Sequence, residues 1–591
     1  MSHRLHRRVL VVLCTAIAAV GLVPVTAGAS GDHWRPPHRP RPPRTVDVQL
    51  LGVNDFHGHI QANTPGCITV PGSTASVEAC RNRVGQVPAG GAAYLSTHLD
   101  RLQADNPRGT VRVASGDLIG ASPLVSGIFH DEPAIEALNA MGLQLSAPGN
   151  HEWDEGLDEL MRMLDGGCHP VDGCYPTPDG EPFSGADFPY VATNIFHKGT
   201  KRLVLPPFVI KRVKGQPIAF IGADLEETPT IVLPSGVADV DFVDESAEIN
   251  KWSRLLARFG VKSQVVVFHQ GSSQVDPTGS INECKGGLAP GPFVDEVTDM
   301  SSEIDVVMSG HSHQAYICDL AGKTVISGAS FGRLVSDVDL QIDRRTRQVT
   351  SVSARNVPVT QDVPVDPEVQ EIVDFYTAQA APIANRVVGS VSADLTTTAS
   401  PSGEQAMGDV VADSQLAATR STGGAVVAFM NPGGVRAPIL YAASAGGEAP
   451  GEVTYGELFT VQPFGNSLVT LSLTGAQIKE MLEQQWSGSN ATAPKVLLPS
   501  DGFTYSWSAS APAGSKVDAA SMAIDGVPVD ATGTYRVTVN SFLAEGGDGF
   551  LVLRDGTDRV GGAIDVDATE AYFALGSPIA PPPLDRITVT P

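Results

Sequence analysis

Five times in the first half of the chain, a short apolar run of strand type breaks off into polar residues. Residues 46–53 (VDVQLLGV) lead into Asn54-Asp55-Phe56-His57-Gly58-His59, and 111–114 into Ser115-Gly116-Asp117. Residues 145–147 lead through a Pro-Gly turn into Asn150-His151, 264–268 (QVVVF) into His269-Gln270-Gly271, and 304–308 (IDVVM) into Ser309-Gly310-His311-Ser312-His313. Helical spacing falls between several of these runs, over 93–104, 133–141, 157–164 and 247–259. Strands alternating with helices predict layered α/β packing, in which sites form where strand ends converge. Residues 320–360 read as closing strands (KTVISGA, VSDVDLQI, VTSVSARNV). Asp366-Pro367-Glu368 then opens a helix with an N-cap and a proline in its first turn, running to about Gln379 and ending before Pro382.

The second half is rich in Gly, Ala, Ser, Thr and Val, and no histidine follows His313, so it cannot build an imidazole metal site. Three motifs stand out, each beside a strand-type run. They are Asn431-Pro432-Gly433-Gly434-Val435-Arg436, Gln462-Pro463-Phe464-Gly465-Asn466, and residues 540–550 (NSFLAEGGDGF) with Phe542 and Asp548. A glycine turn with a buried phenylalanine would explain each one plainly. The functional reading is a nucleoside pocket. Phe464 and Phe542 would sandwich a flat base, Asp548 would accept from ribose hydroxyls, and Arg436 would present its fork of donors to phosphate or ribose.

Length and composition shape this picture. A chain of 591 residues exceeds one core, and a hydrophobic fraction of 42% is that of a soluble globular protein. The net charge of −25 argues against a nucleic-acid polymer as partner, which needs Lys/Arg patches. Residues 1–29 read as a secretory signal, with Arg4, Arg7 and Arg8 before an apolar run and Ala27-Gly28-Ala29 as cleavage site. Residues 30–45 are a Pro/Arg-rich spacer expected to be disordered. No second apolar span follows, so no transmembrane anchor is expected after signal cleavage. Cys67, Cys80, Cys168, Cys174, Cys284 and Cys318 remain, an even count that suggests disulfides in an exported chain, most simply between sequence neighbours.

The candidate chemistry sits at the five strand ends. Asp55, His57, Asp117, Asn150, His269, His311 and His313 offer mixed oxygen and nitrogen donors, which suit Mn²⁺, Zn²⁺, Fe or Co better than Ca²⁺. Seven donors are too many for one tetrahedral ion and fit two ions sharing an aspartate. A metal pair about 3.5–4 Å apart can clamp a phosphoryl group and deprotonate a bound water. His151 lies outside this donor set. It would donate a proton or stabilise charge, and Asp154, three residues on, would orient its ring.

The series NDFHGH, SGDLIG, GNHEWD, FHQG and SGHSH resembles the calcineurin-like metallophosphoesterase domain. With the three downstream motifs, the chain resembles the secreted 5′-nucleotidases and UDP-sugar hydrolases over roughly residues 46–580. The resemblance implies an α/β fold: a four-layer αββα-type metallophosphoesterase domain (46–360), a linker helix (361–384), a separate α+β nucleotide-binding domain (385–580) and a tail (581–591). It implies two divalent ions of Zn, Mn or Co type. Asp55, His57, Asp117 and His313 would hold one, and Asp117, Asn150, His269 and His311 the other, with Asp117 bridging. It also implies a nucleotide or nucleotide-sugar substrate bound by Asn431, Gly433, Gly434, Arg436, Phe464, Asn466, Phe542 and Asp548. One departure concerns phosphate binding. Family members commonly carry an Arg shortly before the segment Glu404–Asp409, whereas this chain has Pro401-Ser402-Gly403 there, and Pro432 stands where Gly is usual.

The leading expectation is therefore a secreted 5′-nucleotidase-type phosphohydrolase. Within the same class stand a 2′,3′-cyclic-nucleotide phosphodiesterase with 3′-nucleotidase activity and a UDP-sugar hydrolase. A related thiosulfohydrolase shares the metal domain, but nothing in the chain suggests its carrier-protein partner. From another class, a non-catalytic nucleotide-binding surface protein would keep the fold. The complete donor set beside His151 and Asp154 argues against that reading.

Overall fold

The computed structural model describes residues 44–62, 67–69, 86–232, 236–276, 278–444 and 446–591. The signal segment, nearly all of the expected spacer, and Cys80 lie outside the described residues. Arg44 to Pro591 pack as one unit.

The first half is built on two sheets. One runs in the order Val349–Pro358, Leu334–Asp343, Thr45–Val53, Thr110–Ser115, Ser146–Ala147. The other runs Ala315–Leu320, Lys323–Gly328, Val306–Ser309, Ser263–His269, Gln216–Asp224, Phe208–Val213. Side-chain alternation explains how they stack. Val48 and Leu50 face the second sheet's Val265 and Val267 in a shared core, while Leu51 and Val53 point outward to the helices Ala92–Gln103 and Glu132–Ala140. Val266 and Phe268 point the other way, to Glu245–Arg258 and Pro292–Asp299. Strands buried on both faces need near-continuous apolar runs, and the result is helix, sheet, sheet, helix. The central strands pair in parallel, Thr45–Val53 with Thr110–Ser115 and Ser263–His269 with Val306–Ser309. Their polar carboxyl ends therefore emerge together.

The helix expected to stop before Pro382 continues through it, spanning Pro367–Ala384. Proline lacks one N–H donor, and in the last turn that forfeits only the bond to Ala378. The Asn385 N–H still reaches the Ala381 carbonyl at 3.0 Å. Val369, Val373, Tyr376 and Ala380 bury this helix in the first half's core. It is packed structure as well as a connection.

The second half centres on the sheet Leu498–Pro499, Val427–Met430, Thr534–Asn540, Ser467–Thr474, Thr557–Ile564. One face carries Ala406–Arg420 and Asp565–Gly576, the other Gly475–Glu483 and a small second sheet. The stretch expected as a tail instead holds a strand, Ile587–Thr590, paired in parallel with Phe503–Ser508. Arg586 anchors it, donating to both Asp413 oxygens at 2.8 and 2.9 Å. Cys168–Cys174 and Cys284–Cys318 are disulfides, matching the neighbour pairing, and Cys67 is also disulfide-bonded.

Asp366 ties the long helix to the first half. Its carboxylate accepts from the Glu368 N–H at 3.0 Å and from the Ser96 hydroxyl at 2.6 Å. Asp366→Ala removes a cap and a tertiary hydrogen bond. It is expected to cost about 1–2 kcal/mol, read as a lowered urea midpoint.

Candidate functional site

Each polar cluster begins where a strand of one of the two sheets ends. His269 is the last residue of its strand, and Gly310 follows Ser309 directly. Turning back at once over the sheet edge requires unusual backbone. Asp55, His57, Asp117, His311 and His313 all have φ between 48° and 63°. Left-handed backbone costs a non-glycine residue roughly 1–2 kcal/mol, and five such residues in one place mark stored strain of the kind found at functional sites.

One buried carboxylate holds two of these loops together. Glu152 accepts from the N–H groups of Asp117 and Leu118, both at 2.9 Å, and of Gly149 at 2.5 Å. Asn54 does similar work, donating to Asp55 at 2.5 Å and to the Ala329 carbonyl at 2.6 Å.

The structure brings all seven expected donors together. Asp55, His57, Asp117 and His313 place their ligand atoms within 4.8 Å of one another, and so do Asp117, His269 and His311. Asp117 belongs to both groups, 3.4 Å from His57 Nε2 and 3.1 Å from His269 Nε2. Asn150 Oδ1 lies 2.9 Å from His311 Nδ1 and 3.2 Å from His269 Nε2. Two of the rings are oriented by carbonyls at their other nitrogen: His57 Nδ1 by Gly120 at 2.8 Å and His269 Nδ1 by Ser115 at 2.7 Å.

Burial sets the charges of these groups. It lowers His57 and His313 well below the ordinary histidine value and takes His311 to about 3, so these rings present unprotonated nitrogens. It raises Asp55 to about 7. Burial also disfavours charge on Asp117, but His269 and His151 outweigh it and hold the carboxyl well below its usual range. Burial works against a proton on His269, but Asp117 outweighs it and raises that ring to about 10. Two buried carboxylates beside the three unprotonated imidazoles and His269 form a donor set that fits divalent cations.

His151 sits beside this cluster. Its Nδ1 meets Asp154 Oδ2 at 2.8 Å, and its N–H donates to Asp117 at 2.9 Å. Burial works against a proton on the ring, but Asp154 and Asp117 prevail and raise its pKa.

The second half closes over the same place. A cavity of about 280 Å³ is lined by Asn150, His151, Asp154 and His311 on one side. On the other stand all eight substrate-binding candidates: Asn431, Gly433, Gly434, Arg436, Phe464, Asn466, Phe542 and Asp548. The Phe464 ring lies nearly parallel to His151, centroids 5.7 Å apart, and Arg436 stands 5.8 Å over its face. Asp548 is fixed by Asn431 Nδ2 at 2.8 Å and Lys495 Nζ at 2.5 Å, and Asn431 is fixed by Asn540 at 3.0 Å.

Several of these side chains carry no motif signal. Lys495 is a single lysine between a loop and a strand. Asn540 is visible only as the first residue of NSFLAEGGDGF. Glu152 lies inside GNHEWD, where its three acceptor bonds could have been suspected from the run of turn N–H groups around it. Asp224, which accepts from Trp153 Nε1 at 3.0 Å, ends a strand that the pattern of polar strand ends passed over.

Comparison with known proteins agrees with this architecture. The family described as 5′-nucleotidase, C-terminal domain matches residues 386–555. The cell wall protein Lmo0130 of Listeria monocytogenes is 33% identical over 553 residues, covering 90% of this chain and 67% of that protein. The chain belongs to the 5′-nucleotidase family. Endonuclease YhcR of Bacillus subtilis is 31% identical over 548 residues, covering 91% of this chain but only 40% of its own length. The crystal structure of a 5′-nucleotidase precursor from Thermus thermophilus shares the fold, with a TM-score of 0.72 at 24% identity, covering 92% of this chain and 99% of that one. Family membership makes the chain a relative of phosphoesterases with a metallophosphoesterase domain followed by a separate C-terminal domain.

Glu152→Gln keeps the size but leaves one or more of the three N–H donors without an acceptor. It is expected to destabilise the metal-free protein by about 1–3 kcal/mol, read by urea unfolding after chelation.

Proposed function

We propose that this chain is an exported metal-dependent phosphohydrolase of the 5′-nucleotidase type, releasing phosphate from nucleotides. One observation carries the reading: the metal-type donor cluster with His151 and the Phe464–Arg436–Asp548 wall face each other across one cavity. A phosphate on the donor side would place its nucleoside among the aromatic and hydrogen-bonding groups opposite. Export is supported by the charged and apolar N-terminal pattern, by the disulfides, and by a relative named as a cell wall protein. Among the described residues no helix is long and apolar enough to cross a membrane.

In this reading Asp55, His57, Asp117 and His313 hold one ion of Zn, Mn or Co type, and Asp117, Asn150, His269 and His311 the other. When bound, such a pair supplies Lewis-acid polarisation of the phosphoryl group and activation of water. The chain's own residues do the rest. Asp154 fixes the His151 ring through Nδ1, leaving Nε2 to carry a proton towards the leaving oxygen. Arg436, held over Phe464, offers its donors to phosphate or ribose. Asp548, braced by Asn431 and Lys495, accepts from the ribose hydroxyls. Phe464 and Phe542 hold the base and exclude water. The domain limits 46–360 and 385–580 are part of the same proposal, with the phosphate chemistry in the first and the nucleoside contacts in the second.

Phosphate release from AMP and 3′-AMP, with product chromatography for UDP-glucose, 2′,3′-cyclic AMP and single-stranded DNA, tests the reading, with AMP expected to be hydrolysed best. Chelation is expected to abolish turnover, and Mn²⁺, Co²⁺ or Zn²⁺ to restore it. Full activity in a protein without bound transition metal overturns the proposal. His151→Ala is expected to cut turnover by ~10²–10⁴ while metal content stays near wild type; parallel loss of metal would make it a structural residue. Phe464→Ala and Phe542→Ala are each expected to weaken nucleotide binding by ~1–3 kcal/mol. Their kcat/KM for p-nitrophenyl phosphate, whose leaving group departs without a proton from His151, should change little, and an equal fall for both substrates would place the rings in the core instead.

A further inference from the structure

Away from the seven donors, a second constellation of metal-ligating type stands at the outer edge of the cavity. His130, Glu155, Glu159 and His169 bring one ligand atom each within 4.8 Å of one another. They come from separate pieces of chain: the turn before Glu132–Ala140, the residue after Asp154, the first turn of Leu157–Asp165, and the loop closed by Cys168–Cys174. The His130 and His169 rings lie face to face, centroids 3.7 Å apart and 13° from parallel. His130 Nδ1 is 2.8 Å from Glu155 Oε2, and His169 Nε2 is 3.9 Å from the same oxygen.

The opposite edges of both rings meet one carboxylate. Asp172 Oδ2 lies 2.9 Å from His130 Nε2 and 3.4 Å from His169 Nδ1. A carboxylate behind the far nitrogens of two histidines is how metal-binding imidazoles are oriented. The Asp172 N–H donates to His169 Nδ1 at 3.1 Å, so ligation through Nε2 requires this ring to exchange that bond for an Nδ1–H donation to the Asp172 carboxylate. Glu159 is already paired with Arg162, at 2.7 to 3.0 Å. The disulfide fixes the loop that presents His169 and Asp172. His130 holds left-handed backbone at φ 48°, as His57 and His313 do at 48° and 54°.

We propose that His130, His169 and Glu155, with Glu159 beside them and Asp172 behind, form a third divalent-metal site, separate from the donors on the strand ends. Two imidazole nitrogens with carboxylate oxygens select Zn²⁺, Co²⁺ or Mn²⁺ over Ca²⁺. Ligand atoms around such an ion stand ~3–4 Å apart, given bonds of ~2.0–2.2 Å; the 3.9 Å separation lies within that range and the 2.8 Å one just below it. Glu155 and Asp172 are about half exposed, which leaves an entry path from solvent. The role is structural. The ion would pin the disulfide loop to Glu155, the residue next to the partner of His151. Without an ion, burial works against a proton on His130, but Glu155 outweighs it and holds the pKa at about 9.

The test is metal stoichiometry at pH 8 by Zn²⁺ titration and elemental analysis after dialysis. Wild type is expected to hold about one equivalent more than His169→Ala. His130→Asn, which tolerates the left-handed backbone, should lose the same equivalent. An Asp117→Asn protein, stripped of the proposed strand-end pair, should still bind about one equivalent, and adding His169→Ala should abolish it. This separates the inference from the proposed hydrolase, because the third site survives whether or not that pair binds. If Asp117→Asn fails to fold, the difference between wild type and His169→Ala decides alone. Equal zinc content in wild type, His130→Asn and His169→Ala overturns the proposal and leaves His130 as a protonated ion-pair partner. Equal retention of Ca²⁺ and Zn²⁺ at the site overturns it as well.

Discussion

Two carboxylates buried side by side are the constraint on which this structure turns. Asp55 and Asp117 have almost no solvent exposure, at 0% and 1%. Burying one unpaired charge costs more than a typical domain can spare, so the surrounding chain is arranged to compensate. His57, His269 and His313 come within 3.1 to 3.6 Å of these oxygens. The N–H groups of His151 and His311 each donate to one of them. These partners come from strand ends on both sheets. Neither sheet alone can satisfy the pair, and the face-to-face packing through Val48, Leu50, Val265 and Val267 is what brings the ends together.

The same constraint accounts for the strained backbone. A strand that ran on past its last residue would carry its polar group away from the cluster. Reversing at once needs left-handed backbone at Asp55, His57, Asp117, His311 and His313. Glu152, with its three N–H donors, and Asn54, with its reach to Asp55 and Ala329, over-determine those turns. Strain persists where surrounding bonds leave no alternative. In the proposed reading it preorganises the donors before any ion arrives.

What the sequence made legible was largely local. Apolar runs ending in Asp, Asn or His marked the strands and their polar ends, because period-two burial and a run's abrupt end are written into neighbouring residues. Helix starts followed the same logic; Asp366, read as an N-cap before Pro367, accepts from the Glu368 N–H at 3.0 Å. Pro382 misled because its position near the end of the helix, not its identity, decides the cost. The strand Ile587–Thr590 was passed over because its partner, Phe503–Ser508, lies some eighty residues away and its anchor Arg586 is an ordinary surface residue type. Lys495 and Asn540 act by tertiary contact with Asp548 and Asn431, and no short-range pattern records such contacts. The histidine cluster at the cavity rim was invisible for the same reason. Its members are spread from His130 to Asp172 and meet only because a disulfide and a left-handed turn bring them face to face.

At the site the two halves meet through a short chain of side chains. His151 belongs to the donor side, yet Phe464 of the other half covers its ring, and Arg436 covers Phe464. The residue proposed to move the proton therefore shares a wall with the residues proposed to hold the base. Opening the halves would uncover His151 and remove Arg436 and Phe464 together, exposing the proton donor to water while releasing the nucleoside. Closure would restore both at once. Coupling of this kind ties protonation of the leaving group to occupancy of the base pocket. It also gives a physical reason for a phosphate-cleaving centre to be built across two halves of a chain instead of within the donor-bearing half alone.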